Sequence, residues 1–294
     1  MNNHQKQFVL LADMIQDANN IVVLTGAGIS VASGIAPFRG KDENAVWKDD
    51  PSKKEFFQYK EDPTEIGTRH YFQQNPVKSW YWYYTRFASV LDKKPNAAHT
   101  ALVDLQSYCT QRGKSFHLIT QNVDGLHRKA GLNNYIEVHG RADRIRCTQH
   151  TCEYAAPHGS LPLNTQDFAR FIQQPSLEHI PRCPACNSLL RPHVLWFDEY
   201  YTEHVDYQFQ KACQILDEGD LLIFIGTSLA VGVTAQAMYA FEEKGLPVWL
   251  IDPHPVDENV YTLCSKSEED LPRLVEYLTK IETLYTMSPS SDKE

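Results

Sequence analysis

No stretch of this 294-residue chain reaches the roughly 18 apolar residues that cross a bilayer as a helix. Its opening residues, MNNHQKQFVLLADMIQ, also lack the apolar core of a secretory leader. Both absences predict a soluble, cytoplasmic protein with no membrane partner. Cysteine is scarce, at seven residues, too few for a disulfide scaffold of this size. Positive charge is in deficit. The net charge of −9 argues against tight, sequence-independent nucleic-acid binding and suits basic partners such as lysine-rich tails. No internal repeat is present, which removes solenoids and propellers. What remains, 42% hydrophobic and 22% charged, is ordinary globular composition with ample length for a core.

A further gap is informative. Ile21–Leu24 is a short, β-branched apolar run of the kind found in buried strands, and it breaks into Thr25-Gly26-Ala27-Gly28. Small residues Ser30, Ser33 and Gly34 follow. A strand, a tight glycine turn and a helix start make an anion cradle. The usual dinucleotide fingerprint G-x-G-x-x-G is nonetheless incomplete: Val31 stands where the third glycine belongs, and no acidic residue ends a second strand about 20 residues on.

The apolar runs Phe116–Thr120, Leu221–Ile225 and Val248–Ile251 read as further buried strands. Helical periods flank them at Phe8–Asp17, Ala98–Gln111 and Glu268–Ile281. Alternating strands and helices predict an α/β fold with a doubly wound, parallel, Rossmann-like sheet. Two stretches break the alternation and predict a smaller lobe, helical and metal-binding. The expected division is a large lobe at about 8–40, 96–140 and 196–285, a small lobe at about 41–95 and 141–195, and a disordered tail at 286–294.

Several stretches carry candidate chemistry. Thr120-Gln121-Asn122-Val123-Asp124 crowds polar residues at a strand's carboxyl end, where open α/β sheets bind ligands, although Asn122 and Asp124 also suit plain turn caps. His139 ends the short strand Tyr135–Val138, and histidine is the side chain best poised to take a proton near neutral pH. Cys147-x4-Cys152 and Cys183-x2-Cys186 are two knuckles able to give four thiolates to one tetrahedral zinc, with His150 or His158 as possible stand-ins. Four protein ligands leave no open position, so that zinc is structural. The 30 residues between the knuckles, with Pro157, Pro162, Pro175 and Pro181, read as an irregular loop. In the aromatic run Trp80–Tyr84, Trp80 and Trp82 read as core. Tyr83 and Arg86, spaced i, i+3 on one helix face, are able to grip a carboxylate.

The longer strings resemble those of the sirtuins, the NAD-dependent protein deacylases. Gly26-Ala-Gly-Ile-Ser30, Ser33-Gly-Ile35 and Pro37-Phe38-Arg39-Gly40 are similar to the sirtuin NAD loop. Gln121-Asn-Val-Asp-Gly-Leu-His127, Glu137-Val-His139-Gly140, Leu190-Arg-Pro-His-Val-Leu-Trp-Phe and Gly226-Thr-Ser228 match further family strings in family order. The resemblance covers about residues 8–285. It implies NAD and one structural zinc as bound groups and acylated-lysine proteins as substrates. It also implies removal of acyl groups, acetyl and succinyl or malonyl, with nicotinamide and 2′-O-acyl-ADP-ribose as products.

By that resemblance His139 is the general base and Asn122 shares the catalytic role. Gly26, Ala27, Gly28, Ser30, Ile35, Phe38, Arg39, Gln121, Asn122, Asp124, Gly226, Thr227, Ser228 and Asp252 line the cofactor. Val194, Trp196 and Phe197 belong to the segment that pairs with substrate peptide by β-augmentation. Tyr83 and Arg86 resemble the acidic-acyl motif of one sirtuin branch.

Three departures from the family strings stand out. Ala36 and Pro37 shift the loop's proline, Asp198 replaces a glycine where a side chain would narrow the peptide groove, and Asp252 replaces an asparagine. The last two raise the rival reading, ADP-ribosyl transfer to protein or NAD hydrolysis on the same site. A nicotinamide dehydrogenase and a non-enzymatic zinc module are more distant rivals. Oligomeric state is not legible in the sequence.

Overall fold

The computed structural model describes residues 2–36, 57, 62–254 and 260–287. Among the described residues nine strands are formed: β1 (Asn20–Thr25), β2 (Ser115–Thr120), β3 (Tyr135–Glu137), β4 (Gly140–Cys147), β5 (Leu161–Pro162), β6 (Leu190–Val194), β7 (Leu221–Ile225), β8 (Val248–Ile251) and β9 (Tyr261–Leu263). Six build one sheet in the order β3-β2-β1-β7-β8-β9, every neighbouring pair parallel, with Val23 level with Leu118 and Ile223. From β1 the chain runs outward to β2 and β3 on one side. It then returns to lay β7 against β1's other edge. The strand order therefore reverses at β1, and the crevice outside the carboxyl ends of β1 and β7 is where such sheets take ligands.

The sheet is buried on both faces, which explains the unbroken apolar runs of β1 and β7. Ile21 and Val23 face one core with Leu11, Ile15, Leu102, Leu105, Leu271, Leu274 and Leu278, from helices Asn3–Asp17, Ala97–Gln111 and Ser267–Met287. The alternate residues Val22 and Leu24 face a second core with Ile215, Leu216, Ala237 and Phe241, from helices Phe209–Glu218 and Gly232–Glu242. This period-two alternation is what a strand between two layers dictates.

A third core forms around the antiparallel sheet β5-β4-β6. Trp80, Trp82, Tyr83 and Phe87 of the helix Pro76–Leu91 fill it with Phe168, Phe171 and Trp196, and Trp80 Nε1 donates to the Leu190 carbonyl at 2.7 Å. Trp80 and Trp82 are core residues, as their aromatic area demands.

Two expectations need correction. The stretch between the cysteine pairs is more than an irregular loop: it holds β5, the 3₁₀ turn Thr165–Phe168 and the helix Ala169–Gln173, anchored by the wholly buried Phe168 and Phe171. The last helix continues to Met287, past the expected start of the tail at 286. The glycine turn opens the expected helix start, a 3₁₀ helix, Ala27–Ser33, capped by Gly34 at φ 75°. Strand β9, only Tyr-Thr-Leu, escaped notice because three residues carry no period. Of the expected helical insertion at 41–76, helices Pro63–Ile66 and Arg69–Gln74 are present, while 41–56 and 58–61 lie outside the described residues.

Two buried histidines make the fold acid-sensitive. His99 caps its own helix by accepting the Asn96 N–H at Nδ1 (3.3 Å), and His127 Nε2 lies 2.9 Å from Thr25 Oγ1. Burial pulls His99 to about 4 and His127 to about 3. Both are neutral when folded and bind protons near pH 6.5 when unfolded. Their contribution is therefore complete above about pH 6.5 and lost as pH falls through 4 and then 3. Urea titration is expected to show stability falling by about 3–6 kcal/mol between pH 7 and pH 4. An unchanged midpoint would place these rings in water.

Candidate active site

The loops after β1 and β7 meet backbone to backbone. Gly26 N donates to the Ile225 carbonyl at 2.9 Å and Gly28 N to the Gly226 carbonyl at 2.8 Å. A Cβ on Gly28 would stand 2.6 Å from Gly226 Cα, and one on Gly226, at φ 59°, would stand 2.4 Å from Ile29 N. Only glycine fits at either place. The two loops are thus packed backbone against backbone at the switch point, where such sheets take ligands. Ala27 opens the 3₁₀ turn, and Ile35 closes it with its N–H on the Ser30 carbonyl.

The segment after β2 locks onto this surface. Asn122 Nδ2 donates to the Gly26 carbonyl (2.9 Å) and contacts Ser30 Oγ (3.3 Å). Ser30 Oγ donates to Asp124 at 2.7 Å, and Asp124 also accepts the Leu126 N–H at 2.9 Å. Burial raises the Asp124 carboxyl's pKa despite these donors. Gln121 Nε2 reaches Thr227 Oγ1 at 3.0 Å, tying the third segment to the second loop, with Ser228 exposed beside it. Asp252 follows β8 at the neighbouring strand end; its Oδ1 accepts the His254 N–H at 2.8 Å, and burial raises its pKa. Asp124 thus serves as a turn cap, whereas the Asn122 side chain ties two loops together. Phe38 and Arg39 lie outside the described residues.

His139 stands at the rim of the crevice, half-buried. Its Nδ1 lies 2.9 Å from the Gln121 carbonyl, which only accepts, so Nδ1 carries the proton and Nε2 the free lone pair. Burial lowers its pKa to about 4, leaving the ring neutral at physiological pH. Gly140, at φ 81°, lets β4 turn away beneath it, since a Cβ there would meet the His193 carbonyl at 2.3 Å. The β6 end lies directly alongside: Gly140 is level with Val194, and Leu195 N donates to the His139 carbonyl at 2.9 Å. Sequence reasoning missed Tyr201, whose hydroxyl lies 3.2 Å from His139 Nε2 and whose ring stacks on the imidazole at 5.7 Å.

Beyond Val194, Trp196 is held rigidly while Phe197 is half exposed. The Arg191 guanidinium lies 3.2 Å from the Trp196 ring centroid and donates to Glu199 at 2.5 and 3.1 Å. Arg69 (2.8 Å) and Arg146 (3.3 Å) converge on the same buried carboxylate, which they hold at about 2, well below the usual range, against a burial effect of opposite sign. Asp198 turns toward the neighbouring helix. Its carboxylate accepts the N–H groups of Arg69 (2.7 Å) and His70 (3.0 Å) at the start of the helix Arg69–Gln74, an anchor a glycine would lack.

Tyr83 is buried against Trp82, Phe87 and Trp196, and burial raises its phenol's pKa. Arg86 lies over the Trp82 ring at 4.5 Å, with Nη1 on the Trp82 carbonyl at 3.3 Å.

Away from the crevice, Cys147 Sγ lies 3.4 Å from Cys186 Sγ, and Cys152 Sγ lies 3.5 Å from Cys183 Sγ, with all four sulfurs within 4.8 Å of one another. That spacing is too long for disulfides and close to the edges of a tetrahedron around one zinc with bonds of about 2.3 Å. The residues fit the ion. Neither His150 nor His158 belongs to the cluster. Cys147 ends the strand that Gly140 begins, so zinc would pin one end of the β4–β6 ladder, whose other end, Gly140 level with Val194, adjoins His139. A second group, His193, His204 and Asp206, also converges. There, however, His204 Nδ1 already accepts the Asp206 N–H at 3.1 Å, and the charges of Arg144 and Arg146 bear on the His193 ring.

Fold and crevice together define the class, that of doubly wound α/β proteins which take a nucleotide where their strand order reverses. Within it the relationship is specific. Residues 26–233 match the model of the Sir2 family. The chain is 35% identical to NAD-dependent protein deacylase 1 of Caldanaerobacter subterraneus subsp. tengcongensis over 246 residues, 84% of this chain and 87% of that one. It is 33% identical to the NAD-dependent protein deacylase of Pyrococcus abyssi over 282 residues, 93% and 98% of the two chains. A solved Sir2 homologue–NAD complex superposes with a TM-score of 0.72 at 31% identity, covering 93% and 94%. A Sir2 structure with a deacetylated p53 peptide and 3′-O-acetyl-ADP-ribose superposes at 0.74 with 26% identity, covering 92% and 98%. The chain belongs to the Sir2 family.

Proposed function

We infer that the protein is an NAD-dependent protein-lysine deacylase, with NAD as co-substrate, one structural zinc and acylated-lysine proteins as substrates. The observation that carries the reading is the neutral His139. Its proton is fixed on Nδ1 by the Gln121 carbonyl, and it stands between the glycine crevice and the β6 end. The names of the relatives and the NAD complex of a structural neighbour point the same way.

When bound, NAD supplies an electrophilic ribose carbon and nicotinamide as leaving group. Gly26–Ser30 and Gly226–Ser228 are assigned to the pyrophosphate and riboses, with Asp252 at the adenosine end. Gln121, Asn122 and Asp124 border the nicotinamide side. The acyl oxygen would bond to the ribose carbon as nicotinamide leaves. His139 would then take a ribose hydroxyl proton at Nε2, so that this ribose oxygen attacks the acyl carbon. Water then releases free lysine and 2′-O-acyl-ADP-ribose. Val194, Trp196 and Phe197 offer an edge for the peptide backbone.

Tyr83 and Arg86 are assigned to the acyl group's far end. Arg86 is half-buried on the helix that packs against Trp196, and its planar fork suits a carboxylate. With purified protein, NAD and matched peptides, Arg86→Met is expected to lower kcat/KM for succinyl-lysine about tenfold or more, the scale of a lost charge-assisted bond. Acetyl-lysine turnover should change much less. Equal losses on both peptides would remove the carboxylate clamp.

A further inference from the structure

We propose that Tyr201 is a removable cap on His139, its hydroxyl holding the place that a substrate hydroxyl takes during turnover. The proposal rests on the deacylase reading for what displaces the cap, but the cap itself stands on hydrogen-bond direction. Tyr201 Oη lies 3.2 Å from Val233 N, and a backbone N–H only donates, so the phenol oxygen accepts there. Its own proton is then free to point at His139 Nε2, 3.2 Å away. That nitrogen is an acceptor, because the Gln121 carbonyl has already fixed the imidazole proton on Nδ1. Every donor in the chain Val233 N–H, Tyr201 O–H, His139, Gln121 carbonyl meets an acceptor, in one direction only.

The consequence is chemical. A base takes a proton through its lone pair, and the only lone pair of His139 is covered. A ribose hydroxyl therefore reaches Nε2 by exchanging one O–H···N bond for another. The phenol is built to release. Tyr201 is part-exposed, lies in the short 3₁₀ turn Tyr201–Glu203 beside the exposed Tyr200, and is held by stacking on Phe209 at 4.4 Å and 15°. Its other tether is near the dinucleotide loops: Val233 is the second residue of the helix that follows Gly226–Ser228, while Gln121 is bonded to Thr227. A ligand that moves the second loop thus also moves the cap's anchor.

Tyr201→Phe keeps the ring stack and deletes the hydroxyl. A hydrogen bond donated to Nε2 favours the neutral imidazole, so its loss raises the His139 pKa. Among the described residues, the groups hydrogen-bonded to that ring are the Gln121 carbonyl from the end of β2 and the Tyr201 phenol. Nearby Glu137 and Arg141 pair with each other and with Arg128 and Asp143, which leaves the hydroxyl as the group to test.

By ¹⁵N NMR of histidine-labelled protein, assigned with His139→Asn, wild-type His139 is expected to be neutral at pH 7 with its proton on Nδ1. In Tyr201→Phe its titration midpoint should rise by about 0.5–1 pH unit, the size of one neutral hydrogen bond. KM for NAD, measured with an acyl-lysine peptide, should fall about threefold to tenfold. An Nε2–H tautomer in wild type overturns the proposal even where the variant fails to fold, and so does an unmoved midpoint in a folded variant. If the tautomer and midpoint behave as expected but NAD loss does not depend on acyl-lysine, the deacylase reading fails and the cap survives.

Discussion

His139→Ala is expected to lower kcat/KM for acyl-lysine turnover by about 10²–10⁴-fold, the range for losing a positioned general base, while leaving the protein folded. The ring's fold contribution is two hydrogen bonds at a half-buried rim, worth about 1–3 kcal/mol together, and none of the three cores includes it. NAD binding should persist, because the glycine loops, Asn122 and Ser30 hold one another without His139.

The wild-type pH profile carries the same claim. His139 must be neutral to act, and its pKa is lowered to about 4. As far as this group controls the rate, kcat/KM stays level from pH 8 down to about pH 5 and falls below that as the imidazole protonates. Initial rates beside circular dichroism decide the matter. A folded alanine variant with more than a tenth of wild-type activity would put the base elsewhere.

Loss of zinc is the second large effect. Four thiolates bring together two chain segments that no other covalent or metal link joins among the described residues, and they cap the end of β4 and the start of β6. Apparent binding free energies for structural zinc reach about 10–16 kcal/mol in small zinc domains, as large as the whole stability of a typical domain. Chelation, or Cys183→Ser, is therefore expected to melt the third core, red-shifting emission from Trp80, Trp82 and Trp196. Activity should vanish as well, since Val194 and His139 share the ladder's far end. Elemental analysis should give one zinc per chain, absent from the serine variants of Cys147, Cys152, Cys183 and Cys186 but retained by Cys109→Ser. A zinc-free protein with full melting temperature and activity would contradict this account.

What was legible in the sequence follows a physical divide. β1, β7 and β8 announce themselves because a parallel strand covered on both faces is apolar over most of its length, and β2 does so through Phe116, Leu118 and Ile119. β9, at three residues, has no room for a pattern, and prolines hid the anchors Phe168 and Phe171. The glycines were readable as a turn, but not the reason for them: Gly28 and Gly226 are needed first to let two loops touch each other. Asp198 looked like an obstruction because spacing cannot show which way a side chain leaves the chain; it caps a helix some 130 residues earlier. Tyr201 had no signal at all. Its meaning lies in a contact 62 residues away in sequence, with no motif to mark it.

The most direct test is mass spectrometry of the purified protein with NAD and three peptides, carrying unmodified, acetyl- and succinyl-lysine. The account predicts nicotinamide release only with an acyl peptide, in step with free lysine and 2′-O-acyl-ADP-ribose. Equal NAD loss with the unmodified peptide, or ADP-ribose attached to protein in place of the acyl product, would contradict it.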